Sequence, residues 1–117
     1  MKIYLATKFE NGARAAELAT ALEAAPHNFT ITRKWWEYPP FESDEVLARE
    51  EAAADIDAVR SADALVFIDE EDLDYRGAWV EVGAALALGK TVYVLGEYHK
   101  KAVFGFHPLV QKMRWPV

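Results

Sequence analysis

Two short runs, Ala64-Leu65-Val66-Phe67-Ile68 and Thr91-Val92-Tyr93-Val94-Leu95, constrain this chain more than anything else in it. Both are almost wholly apolar and rich in β-branched and aromatic residues, which suits strands. A strand apolar on both faces has to be covered on both faces, and a parallel sheet flanked by helices meets that condition. The segment between them, roughly Gly77 to Leu88, has a helical pattern and stops at Gly89, the residue type that most readily ends a helix. Strand, crossover helix, parallel strand is therefore the unit from which the rest is read.

The same alternation extends upstream. Lys2-Ile3-Tyr4-Leu5-Ala6-Thr7 reads as a first strand. From Asn11 to Ala25 the pattern turns helical, with Ala15, Leu18, Ala19 and Leu22 on one face and Pro26 as the stop. Phe29-Thr30-Ile31-Thr32 alternates and predicts a second strand. Trp35 to Phe41 predicts a loop, because Pro39 and Pro40 forbid a helix there. Ser43, Asp44 and Glu45 mark the start of a second long helix, with acids at the positive end of its dipole. That helix runs to about Ser61. Val103 to Pro108 suggests a short edge strand. The order predicts one domain over residues 1–117. Its expected class is α/β, a three-layer sandwich of flavodoxin- or Rossmann-like type with a mainly parallel sheet of four or five strands.

Such sheets bind ligands outside the carboxyl ends of their strands. Here those ends are Thr7-Lys8-Phe9, the Trp35 to Phe41 loop, the acidic segment Asp69 to Arg76, and Gly96-Glu97-Tyr98. Composition narrows what binds there. Lys and Arg number 13 against 19 Asp and Glu, a net charge of -6, so no basic face is available for a nucleic-acid polymer. A small phosphate-bearing ligand needs only a few local donors. There is no Cys, which removes thiolate nucleophiles, disulfides and Cys-ligated metals. His27, His99 and His107 show no ligand spacing, so no metal is expected. No apolar run approaches the roughly 20 residues that span a bilayer, so no membrane partner is expected either. The first residues read as a strand rather than a signal peptide, and the expected location is the cytoplasm. There is no phosphate-loop, dinucleotide or serine-elbow motif, and no cofactor is expected.

Glu81 is the sharpest chemical signal. From Gly77 to Gly89 it is the only ionisable side chain, on a helix that is apolar all round and therefore expected to be buried. Burying an unpaired carboxylate costs several kcal/mol as a rough scale, so it needs a partner or a role. A helix-start carboxylate that faces water, or pairs with Lys8 or Arg76, stands as the structural alternative. Asp55 is the second signal, a lone acid on the stripe Ala48, Ala52, Asp55, Val59, Ala62. The neighbouring Glu50, Glu51 and Asp57 make a simple solvated face its alternative. The acidic loop Asp69-Glu70-Glu71-Asp72-Leu73-Asp74 suits a hard cation in kind but lacks a binding-loop spacing, and reads as a solvated charge run. Trp35-Trp36-Glu37-Tyr38 offers ring faces for stacking a base, or simply edge packing.

Together these residues resemble the nucleoside 2-deoxyribosyltransferase family, including relatives that hydrolyse deoxynucleoside monophosphates. Ile3-Tyr4-Leu5-Ala6 matches the family's opening strand. Asp55 stands eight residues before Asp63, as in the family's acidic spacing. Gly77-Ala78-Trp79-Val80-Glu81-Val82-Gly83-Ala84-Ala85-Leu86-Ala87-Leu88-Gly89-Lys90 fits its most specific motif. The resemblance implies that Glu81 is the catalytic nucleophile, Asp55 an active-site acid and Tyr4 a substrate contact. Thr7, Lys8, Trp36, Asp72, Asp74 and Gly77 complete the expected substrate-binding set. An acid that often precedes the family's Glu by six residues falls on Tyr75 here, with Asp74 beside it.

The implied chemistry is coherent. Breaking an N-glycosidic bond passes through a state with positive charge at C1′, which one carboxylate stabilises or attacks while a second acid assists the departing base. Asp55 fills the second role as acid or orienting group, with Asp72 or Asp74 as alternative acids. Substrates are expected to be small nucleosides or nucleotides. A non-catalytic nucleotide-sensing module of the same fold is the alternative, and a Mg²⁺-holding signalling domain is a third reading disfavoured by Thr7-Lys8 at the first strand end. The Ala-rich faces of the second and third helices, with the family's habit, imply a homodimer or larger assembly. In it the third helix is expected near the interface, and the tail around His107 and Trp115 is expected to reach a neighbour's pocket or rim.

Overall fold

In a computed structural model, which describes residues 1–114, the two apolar runs lie side by side at the centre of the sheet. The strands are β1 (Lys2–Ala6), β2 (Thr30–Ile31), β3 (Ala64–Asp69), β4 (Thr91–Gly96) and β5 (Val110–Lys112). The crossover helices are α1 (Gly12–Glu23), α2 (Glu45–Ser61) and α3 (Arg76–Ala87). All neighbouring strands pair in parallel, in the order β2-β1-β3-β4-β5. This is the expected α/β architecture, with five strands. β3 is buried at every position. Right-handed crossovers in this order put α1 on one face and α2 with α3 on the other. α2 packs along α3, and α1 packs beside the turn at Trp35–Glu37.

The helices form where the apolar spacing placed them. Ala15, Leu18, Ala19 and Leu22 are the buried face of α1. Five local details depart from the sequence reading, each for a physical reason. β2 pairs over Thr30–Ile31 only, because it is an edge strand held on one side by β1. A 3-10 turn occupies Trp35–Glu37, since the prolines that exclude a helix come after it. α2 starts at Glu45 rather than at Ser43. Asp44 is its cap, accepting a hydrogen bond from the Leu47 N–H at 3.1 Å, while Ser43 lies outside at φ 70°. Val103–Phe106 forms a 3-10 turn, and the edge strand is Val110–Lys112, beyond Pro108, which has no N–H to give a ladder. α3 buries Ala78, Val82 and Ala85 but exposes Val80 (64%), and Leu88 just after it is also exposed (48%), so the apolar segment is not buried all round.

The acidic loop also begins differently. Asp69 is the last residue of β3, not the first of a solvated run, and it is fully buried. Its Oδ2 accepts from the His99 backbone N–H and lies 2.8 Å from His99 Nδ1. That clamp holds the turn Tyr98–Lys101 over the strand ends. Gly96 makes room for it. Gly96 has φ 138°, and a Cβ there would sit 2.3 Å from Asp69 Oδ1. On the opposite edge of the fold, Lys90 Nζ donates to the carbonyls of Val59, Arg60 and Ala62 at the end of α2. A cation on the last carbonyls of a helix satisfies acceptors that have no helical partner. No helix of the described residues is long and apolar enough to cross a membrane.

Lys90→Met keeps most of the side-chain volume and removes these bonds. It is expected to lower stability by about 1–3 kcal/mol, read as a lower denaturant midpoint at unchanged slope.

Candidate active site

The order β2-β1-β3 reverses direction at β1, and a cleft opens there at the carboxyl ends of β1 and β3. It has a volume of about 670 Å³. Lys8, Phe9 and Trp35 wall one side, Asp55 and Ala52 of α2 another, and Asp74, Gly77, Val80 and Glu81 of the α3 approach the third.

Glu81 reaches this cleft because its neighbours on α3 are small. Ala78, Val82 and Ala85 let the helix lie close on the sheet, which draws the carboxylate toward Tyr4. Tyr4 is fully buried in β1 and its hydroxyl donates to Glu81 Oε2. No lysine or arginine side chain pairs with Glu81 among the described residues. Burial therefore dominates and pushes its carboxyl up to about 8, with the Asp55 charge adding to the rise and the Tyr4 hydrogen bond opposing it. The same surroundings push the Tyr4 hydroxyl well above its ordinary range, through burial first and then the Glu81 and Asp55 charges.

Asp55 sits in a different environment. Its Oδ1 lies 3.0 Å from Nε of Arg33, which follows β2. Arg33 also pairs with Glu51, one turn earlier on α2, and its guanidinium lies 4.2 Å above the Tyr38 ring. Burial raises the Asp55 carboxyl above its usual range, Arg33 pulls it back, and Glu51 raises it.

The remaining expected residues divide. Lys8, Asp74 and Gly77 line the cleft, and Asp74 forms an ion pair with Arg76 at 2.7 Å. A Cβ at Gly77 would meet nothing within 4 Å, so the missing side chain is open space on the wall. Thr7 also lines the cleft, but its hydroxyl donates to the Ile68 carbonyl at 2.8 Å and accepts from Asn11 at 3.1 Å. Tyr4 lies beneath Glu81 rather than on the wall. Trp36 and Asp72 are not brought to the cleft. Trp36 stands edge-on to Trp35 with its Cβ side against Gly12, and Asp72 pairs with Lys101. Trp35 takes the place expected of its neighbour. Its Nε1–H donates to the Leu5 carbonyl at 2.7 Å, and its ring lies 6.1 Å from that of Phe9. Arg33 and Glu51 were not legible as site residues; the only trace was an acid at each of two successive turns of α2. His107 Nδ1 accepts from the Leu109 N–H, and Trp115 lies outside the described residues.

Comparison with known proteins decides the family. The model of the nucleoside 2-deoxyribosyltransferase family matches residues 3–112. The chain belongs to that family. It is an enzyme of this kind, one of cleavage or transfer at the N-glycosidic bond of nucleosides or nucleotides. Two solved structures share the fold. A CMP N-glycosidase of Clostridium botulinum is 18% identical, with a TM-score of 0.64 over 100% of this chain and 91% of that one. A 2-deoxyribosyltransferase of Bacillus psychrosaccharolyticus is 20% identical, with a TM-score of 0.62 over 97% and 99% of the two chains. No curated protein matches the sequence.

The Glu81 environment has a consequence for stability. Below about pH 4.5 the folded and unfolded chains both hold this proton, and between there and about 8 only the folded chain keeps it. The contribution is therefore full below the first value and lost as pH rises through the second. Glu81→Gln cannot ionise. Its melting temperature is expected to gain on the wild type as pH rises from about 5 to about 9, and a constant difference across that range would contradict the burial argument.

Proposed function

We propose that this enzyme cleaves the N-glycosidic bond of a (deoxy)nucleoside or nucleoside 5′-monophosphate with Glu81 as nucleophile. The observation that supports this best is a carboxylate at the cleft wall, paired with no lysine or arginine among the described residues, and a buried tyrosine hydroxyl on one oxygen. A cation there would compete with the charge that develops at C1′. The Glu81 oxygen bonds to C1′ as the C1′–N bond breaks, and the electron pair leaves with the base, which takes up a proton. Water or a second base then attacks C1′ and releases Glu81. Tyr4 holds the carboxylate in place.

Asp55 fits the orienting role better than the acid role. Arg33 favours its charged form, which accepts a hydrogen bond from a sugar hydroxyl. Asp74 lines the cleft but pairs with Arg76 at 2.7 Å, which favours its charged form as Arg33 does for Asp55. Asp72, paired with Lys101, lies away from the wall, so the departing base takes its proton from solvent. Phe9 and Trp35 offer an apolar wall for the base. The two fold neighbours are described as an N-glycosidase and a deoxyribosyltransferase, which matches both fates of the glycosyl-enzyme.

The test is release of free base from a panel of nucleosides and 5′-monophosphates, with and without an acceptor base. Glu81→Ala and Glu81→Gln are expected to lower kcat by about 10⁴-fold or more while remaining folded, the scale of losing a nucleophile. Asp55→Asn loses less, about 10²-fold, the scale of a misplaced substrate. Because Glu81 must ionise before attack, kcat/KM is expected to rise with pH and level off above about 8. Full turnover by either Glu81 variant would sink the assignment.

We further propose that the chain works as a homodimer or larger assembly. Val80 at the cleft, Leu88 after the end of α3, and Phe104 (61% exposed) and Phe106 (65%) beyond β4 leave apolar surface uncovered. Such surface favours a second copy. Light scattering at micromolar protein is expected to give at least twice 13.2 kDa, and an active monomer would refute it.

A further inference from the structure

The groups facing Asp55 come from every element packed around it. Tyr4 approaches from β1 and Glu81 from α3. Glu51 lies one turn earlier on α2, and Arg33 and Tyr38 come from the segment after β2. Across the cleft are Lys8, Glu10, Asp74 and Arg76. Within the inner group there are three carboxyl groups and a single cation, Arg33.

Arg33 divides itself unequally. Its Nη2–H donates to Glu51 Oε2, whereas its Nε lies 3.0 Å from Asp55 Oδ1 without the alignment of a hydrogen bond. Both of those atoms are buried and neither makes a hydrogen bond among the described residues. An arginine beside a free carboxylate ordinarily clamps it with two parallel bonds. Here Glu51 takes the strong bond and the Tyr38 face limits where the guanidinium plane can turn. Asp55 receives the charge without the clamp.

We infer that Arg33 is a positioning residue for Asp55, and that Glu51 holds it so that Asp55 is kept charged but not locked in an ion pair. The inference builds on the proposed orienting role of Asp55. A carboxylate that must accept a sugar hydroxyl has to be ionised and has to keep its accepting directions open. A lone Arg33 would satisfy the first need and defeat the second. A lone Glu51 would defeat the first by repulsion.

The two partners therefore act in opposite directions, and that is the test. The Asp55 carboxyl is titrated by carbon NMR in the wild type, Arg33→Gln and Glu51→Gln. Removing Arg33 is expected to raise the Asp55 midpoint by about 1 unit or more, the scale for losing an opposite charge at this range. Removing Glu51 is expected to lower it, because Arg33 then turns both bonds onto Asp55. Arg33→Lys restores the charge without the fork, and is expected to return the midpoint most of the way while kcat/KM stays depressed. In the activity assay, Glu51→Gln is expected to raise KM more than it lowers kcat, since a clamped Asp55 no longer greets the substrate. Midpoints that do not move, or that move the same way in both variants, would overturn the inference. If Arg33→Gln fails to fold, Glu51→Gln decides alone, and an unchanged or raised midpoint overturns it. The titration does not depend on turnover. Opposite shifts without any glycosidic cleavage would uphold the Arg33 arrangement and reject the proposed reaction instead.

Discussion

The hydrogen bond from Tyr4 to Glu81 ties the centre of the sheet to the helix that carries the proposed nucleophile. It exists only because α3 lies close to the sheet. Ala78, Val82 and Ala85, the residues of α3 buried against the sheet, set that closeness. With larger residues on that face the helix would stand off, Glu81 would meet water, and its proton would leave at an ordinary pH. The small residues of the motif are therefore part of the electrostatics. They place a carboxylate where burial outweighs the one hydrogen bond that favours its charge.

The site then rests on a contrast between two carboxylates. Glu81 has burial and, among the described residues, no cation; Asp55 has burial and Arg33. Pairs of titratable groups whose surroundings push them apart mark out different chemical roles. Here the contrast is built from different parts of the chain. The Glu81 environment comes from β1 and α3, which the central strands fix. The Asp55 environment comes from the turn after the two-residue edge strand β2. The central β1 and α3 thus hold the group proposed to bond with the sugar, while Asp55 on α2 takes its cation from the sheet's edge.

The architecture was legible because β3 and β4 are apolar on both faces, and only covered parallel strands satisfy that condition. Glu81 and Asp55 stand out in the sequence as acids on otherwise small or apolar helical faces, and the family match bears out the resemblance of the chain as a whole. What escaped was of another kind. Asp69 looks like the start of an acidic loop, and only its distant partner His99, 30 residues on, explains its burial. Trp35 and Trp36 are adjacent, and no periodicity in so short a turn says which one faces the cleft. Arg33 acts through residues 18 and 22 positions away on another element, a pairing set by the docking of β2 against β1. Local pattern fixes elements; partners across elements need the tertiary structure.

The polar groups around the cleft are spent in a telling way. The Thr7 hydroxyl bonds to Ile68 at the point where β1 and β3 part, and the Trp35 indole bonds to the Leu5 carbonyl just before it. Both side chains line the cleft, yet both use their donors to stiffen its rim. What remains for a ligand is an apolar wall and a set of carboxylates, with Lys8 and Arg76 at the mouth. In the proposed reaction a sugar ring entering such a cleft would meet few neutral hydrogen-bonding groups, and its orientation would depend on the charge state of Asp55 and Glu81. Under the proposed mechanism, binding and reaction would for that reason be two readings of the same pair of protons.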